Sequence, residues 1–134
     1  MELKVVINDA KEKKSYAKKL EDNPFIGRKL GDKISGNELG LDGYELEITG
    51  GSDISGCPMR KDLPGTAKKK CLLSGGVGIH LNRKGMRKRK SVSGNTIHEK
   101  TSQLNLKVAK YGSKSLVEAL GVQPKEEKAE EKKK

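Results

Sequence analysis

The chain has 134 residues and a mass of 14.6 kDa, with a formal net charge of +11 and only 32% hydrophobic and 3% aromatic residues. That is one small domain with a thin core, and the excess positive charge calls for a polyanionic partner. Composition and pattern also exclude a transmembrane helix, which takes ~20 apolar residues, a secretory signal and a disulfide scaffold, since Cys57 and Cys71 stand alone and fit a reducing, cytosolic setting.

Taken in order, the first element is Leu3-Lys4-Val5-Val6-Ile7, a β-rich run. Residues 9 to 22 read two ways. Their Ala, Glu and Lys content favours helix, while Tyr16, Lys18 and Leu20 can equally line one face of an edge strand. Tyr44, Leu46 and Ile48 alternate with Glu45, Glu47 and Thr49, the period of a half-buried strand. The glycine-rich stretch Gly50 to Gly56 lacks the Gly-Lys-Ser/Thr ending of a phosphate-binding loop. It reads as a tight turn holding backbone against RNA. Cys71-Leu72-Leu73 and Ile79-His80-Leu81 flank Gly75-Gly76-Val77-Gly78 and predict a hairpin. Leu104, Leu106 and Val108 alternate in a further strand. Ser115, with Glu118 three positions on and Gly121 beyond, predicts a short helix that Pro124 prevents from continuing. Residues 123 to 134 hold no apolar side chain larger than Ala and predict a disordered tail.

An internal repeat adds to this plan. Ile34-Ser35-Gly36-Asn37-Glu38-Leu39 matches Val92-Ser93-Gly94-Asn95-Thr96-Ile97. The same offset pairs Gly27 with Gly85, Leu46 with Leu104 and Ile48 with Leu106. The expected fold is all-β: a small pseudo-twofold β-barrel of about six strands over residues 1–112, a short helix over 113–122 and the tail. Closure would remove exposed strand edges. The two Ser-Gly-Asn turns should then occupy equivalent positions.

Charge is segregated along the chain. Residues 1 to 56 carry 9 basic and 11 acidic side chains, whereas residues 57 to 100 carry 12 basic and 2 acidic, a net of +10. A solvated surface mixes the signs; a nucleic-acid face segregates them. Arg83, Lys84, Arg87, Lys88, Arg89 and Lys90 place six cations in eight residues around Gly85. Guanidinium forks take phosphate oxygens in pairs and ammonium groups act as point charges. Lys68, Lys69, Lys70, Arg60 and Lys61 extend the same candidate RNA-binding set. A solubilising loop, an import signal or a disordered arm are the blander readings of such a run.

Catalysis finds little support. His80 and His98, with Cys57 and Cys71, fit no common zinc spacing, and no nucleophile or acid–base pair stands in context. No cofactor, metal, membrane or small-molecule substrate is expected. Aromatics for stacking bases are nearly absent from the basic region, which favours structured RNA recognised by phosphate, 2′-hydroxyl and shape.

The chain resembles small-subunit ribosomal protein six of the archaeal and eukaryotic type, the S-six-e family. The resemblance spans residues 1 to 122. It rests on Gly50-Gly51-Ser52-Asp53, Gly56-Cys57-Pro58-Met59, Leu72-Leu73-Ser74-Gly75-Gly76-Val77-Gly78, Lys84 to Gly94 and Leu104-Asn105-Leu106. It implies a β-barrel of the cytoplasmic ribosome, in contact with ribosomal RNA and neighbouring ribosomal proteins and supporting translation without enzymatic activity. Two positions depart from the family pattern: Cys57 stands for a usual Phe, and Ser93 for a usual Arg, which removes a cation from the expected edge. The tail has no Ser, so the phosphorylated serine cluster of eukaryotic members is not carried over and the short form resembles archaeal members. The rival readings are a free DNA- or chromatin-binding protein and an RNA-modifying enzyme.

Overall fold

A computed structural model describes residues 2–121. In chain order these form β1 (Leu3–Asp9), β2 (Lys14–Leu20), β3 (Lys33–Ser35), a 3₁₀ turn (Gly36–Leu39), β4 (Glu45–Asp53), β5 (Lys69–Leu73), β6 (Lys88–Val92), β7 (Thr101–Lys110) and α1 (Leu116–Leu120). Five strands make one sheet in the order β2-β1-β7-β4-β3, and β5 and β6 make a separate two-stranded ribbon.

The sheet follows from period-two burial. Leu3, Val5 and Ile7 point to one face of β1, and its parallel register with β7 sets Val5 opposite Leu104 and Ile7 opposite Leu106. On the other flank of β7, antiparallel β4 sets Leu46 opposite Val108 and Ile48 opposite Leu106. These side chains are 5% exposed or less. Phe25, Leu39, Leu41 and Ile97, from connecting segments, are also fully buried. Burying each such side chain contributes roughly 1.5–3 kcal/mol, so even this small set supports a folded core.

Residues 9 to 22 resolve as the edge strand. Asp9 Oδ1 accepts from the Lys11 amide at 2.8 Å and from the Glu12 amide at 3.4 Å, which turns the chain. Lys13 takes φ 56°, and β2 then pairs back on β1 with Tyr16 buried and Lys18 and Leu20 half-buried on one face. The short helix forms where the capping residues place it. Ser115 Oγ accepts from the Glu118 amide at 3.5 Å, and Gly121 ends α1 at φ 61°. The expected tail, residues 123–134, lies outside the described residues.

Three expectations are corrected. First, the sheet does not close into a barrel. It ends at β2 and β3, and β3 has only three residues before the 3₁₀ turn removes its ladder. Edge strand β2 instead reaches the turn that follows β3: Lys18 Nζ donates to Leu39 O at 2.9 Å. Secondly, the two Ser-Gly-Asn stretches of the repeat do not form equivalent turns. Gly36 opens the 3₁₀ turn, where a Cβ would strike Leu41 O, whereas Gly94 lies in the irregular segment after β6, where a Cβ would strike Gly65 O. Each glycine answers local crowding, by different backbones. Thirdly, Gly75–Gly78 does not join a hairpin with Ile79–Leu81, which is not a strand. β5 pairs with β6 instead, and the loop between them runs from residue 74 to 87.

Of the stretch read as an RNA-facing turn, the first part is likewise strand, and only Asp53 to Gly56 turns, with the Gly56 amide donating to Asp53 O at 2.8 Å. Gly50 to Asp53 completes β4 along β7, and a Cβ on Gly51 would lie 2.6 Å from Gln103 O. Glycine is there so that two strands can approach at a bulge.

Candidate nucleic-acid interface

The ribbon gathers the cations that the sequence separates. Its antiparallel register sets Lys69 opposite Val92, Lys70 opposite Ser91, Cys71 opposite Lys90, Leu72 opposite Arg89 and Leu73 opposite Lys88. Alternation gives it two faces. On one, Leu73 and Val92 are buried with Ile79, and Leu63, Cys71 and Leu81 pack against them, forming a small cluster apart from the main core. On the other, Lys70, Leu72 and Arg89 are exposed.

Lys68, Lys69, Lys70, Arg89 and Lys90 all reach solvent, and Lys88, opposite Leu73, is half-buried. Arg83, Lys84 and Arg87 are exposed on the loop that enters β6. There the Met86 amide donates to Arg83 O at 3.4 Å, and Gly85 takes φ 79°. Gly85 is therefore fixed by a turn conformation rather than by crowding. Among the described residues none of these nine cations is ion-paired. An unneutralised cluster of this density is electrostatically costly without a partner.

Arg60 and Lys61 behave differently. Arg60 is engaged internally, with Nη1 donating to Val77 O at 2.8 Å and to Gly75 O at 3.3 Å, and Nη2 to Asp62 Oδ2 at 2.7 Å. Lys61 is exposed, and its Nζ lies beside Gly31, on the turn before β3. Ser93, read as a position on the cationic edge, is fully buried and its Oγ has no hydrogen-bond partner. A residue at this position does not stand on that edge.

No group of three His, Cys, Asp or Glu side chains converges among the described residues. His98 Nδ1 lies 3.4 Å from Thr101 Oγ1, at the turn into β7. None of the described helices is long and apolar enough to cross a membrane. The sequence reading missed two exposed apolar side chains, Leu72 opposite Arg89 at 56% and Val77 on the loop between β5 and β6 at 59% exposure. The signal for Val77 was its place between Gly76 and Gly78, where a core residue has no reason to be.

A small sheet carrying a ribbon of unpaired cations is the electrostatic footprint of a polyanion-binding protein. Comparison with known proteins narrows that class. The family model for ribosomal protein S6e matches residues 3–121. The chain is 48% identical over 116 residues to the small ribosomal subunit protein eS6 of Methanococcus maripaludis strain S2, covering 87% of this chain and 94% of that one. It is 49% identical over 122 residues to the eS6 protein of Archaeoglobus fulgidus, covering 88% and 95%. Against that of Methanosphaera stadtmanae it is 44% identical over 133 residues, covering 97% and 100%. The chain belongs to the ribosomal protein S6e family, a family of ribosomal proteins and not of enzymes.

Proposed function

We propose that this chain is a structural constituent of the small subunit of the cytoplasmic ribosome. In this reading residues 1–112 carry the binding surface, and β5, β6 and the loop from residue 83 to 87 neutralise ribosomal RNA phosphates, in support of translation. The observation that carries the reading is the pairing that brings Lys69 and Lys70 onto one two-stranded ribbon with Lys88, Arg89 and Lys90, with no acidic partner among the described residues. The names of the archaeal relatives place those proteins in the small subunit. Neighbouring ribosomal proteins are expected partners on the same grounds.

The test is titration of the full chain with transcribed small-subunit ribosomal RNA at several salt concentrations. With about six phosphates neutralised, log K against log salt slopes at about −4 to −5. A slope near zero overturns the reading. Co-sedimentation with small subunits after a high-salt wash separates it from a loosely held DNA-binding protein, which the wash removes.

A further inference from the structure

Arg60 has the sequence context of a phosphate contact and the structural context of a clamp. Its side chain is only 13% exposed. The guanidinium fork presents five donors in fixed geometry, and here its Nη atoms make three bonds, to Gly75 O, Val77 O and Asp62 Oδ2. Its backbone is anchored too: the Arg60 amide donates to Ser93 O at 3.1 Å, just past β6. The far end of the gripped loop is fixed by packing. Gly78 lies at φ 88° so close to Pro58 and Val92 that a Cβ would sit 2.9 Å from Pro58 Cγ and 3.2 Å from Val92 Cγ1. The loop from Gly75 to Gly78 is thus held at both ends by the ribbon and the segment beneath it.

Between the two holds stands Val77, 59% exposed. The loop leaves β5 directly after Leu73, whose register partner is Lys88, and Leu72 is exposed opposite Arg89. An apolar side chain held out into water on the same loop that carries the unpaired Arg83, Lys84 and Arg87 adds nothing to charge attraction. It adds contact area without releasing counterions. The flanking charge fits a polyanion, and groove-reading proteins commonly combine phosphate contacts with inserted apolar side chains.

We propose that Val77 is an apolar contact to ribosomal RNA, seated against a sugar or base edge, and that Arg60 is the positioning residue that presents it. Arg60 is then not itself a phosphate ligand. The inference rests on the RNA-binding reading above and assigns a salt-independent part of the affinity to this loop.

The experiment measures RNA affinity against salt for the wild-type full chain and for Val77→Ser, Arg60→Gln, Arg60→Lys and the Val77→Ser/Arg60→Gln pair, with transcribed small-subunit ribosomal RNA as the probe. Val77→Ser weakens binding about fivefold at every salt concentration, as expected for losing part of one buried apolar side chain, and leaves the slope unchanged. Arg60→Gln and Arg60→Lys weaken it alike, because an ammonium group cannot reproduce the fork. The double variant loses no more than the larger single loss, because the two act through one contact. The proposal is overturned if Val77→Ser binds like the wild type. It is also overturned if Arg60→Gln flattens the slope by about 0.7–0.9 and Arg60→Lys restores it, the signature of a lost phosphate contact. Val77 is exposed, so its variant reads out even if Arg60 variants unfold. A flat wild-type slope is a different failure, that of the RNA-binding reading itself.

Discussion

The hydroxyl of Tyr111 donates a 2.7 Å hydrogen bond to Asp9 Oδ1, joining the segment after β7 to the turn between β1 and β2. Around this bond Lys11 Nζ lies 3.9 Å from the Tyr111 ring centroid, Tyr44 meets the same ring edge-on at 6.1 Å, and Tyr44 hydroxyl donates to Lys114 O at 2.6 Å. The cluster ties the approach to α1 onto the sheet. Burial opposes the charge on Asp9, but hydrogen bonds from Tyr111 and from the Lys11 and Glu12 amides outweigh it and hold its carboxyl below the ordinary 3.8.

A pH-dependent prediction follows from that sign. A carboxyl held low in the folded state contributes stability above its unfolded pKa and loses it as pH falls through the folded one. Tyr111→Phe should therefore lower stability at pH 7 by removing a hydrogen bond to a charged acceptor. The difference from wild type should shrink as the pH falls below the ordinary carboxylate range and Asp9 protonates. Urea unfolding of both proteins at pH 7 and pH 2.5 checks this. An equal difference at both pH values would sink the Asp9 account.

The contact between Lys18 and Leu39 links edge strand β2 to the 3₁₀ turn that follows β3. Lys18→Met keeps the apolar stem and removes the donor. It should cost about 1 kcal/mol and speed amide exchange in β2 while leaving β7 protected. Hydrogen exchange followed strand by strand distinguishes this from global loosening, which would raise the rates of β7 as well.

How much of this was legible in the sequence depended on whether one face was apolar. β4 and β7 each bury alternate residues such as Leu46 and Leu106 against charged or polar neighbours, so period two was visible, whereas β1, with Val6 beside Val5, was marked by its β-rich run. β6 alternates too, but between Lys88 and Arg89, and only Val92 marks it as a strand. The partner of β5 was therefore misplaced at Ile79–Leu81. Closure was misread because Gly36 and Gly94 share a letter for two different reasons. In the sequence Arg60 resembles any other cation of its region. Its ligands come from residues 75 and 77, and only the fold brings them to it.

The last prediction separates the face that binds from the face that folds. Arg87, Arg89 and Lys90 are exposed and Lys88 is half-buried, whereas Val92 and Ile34 are 0% and 2% exposed. Changing Arg87, Lys88, Arg89 and Lys90 together to Gln should leave the melting temperature within a few degrees of wild type and flatten the salt slope of RNA binding by about 3, the loss of four phosphate contacts. Val92→Asp or Ile34→Asp should do the reverse. A buried, unpaired carboxylate costs several kcal/mol against a total stability of about 5–15 kcal/mol, so these chains should melt far lower or not fold at all. Paired melting curves and RNA titrations on the two classes of variant make the comparison. If the four-Gln variant unfolds while the Asp variants keep their melting temperatures, the ribbon's cations hold the fold, and the division between cationic face and buried cluster is inverted.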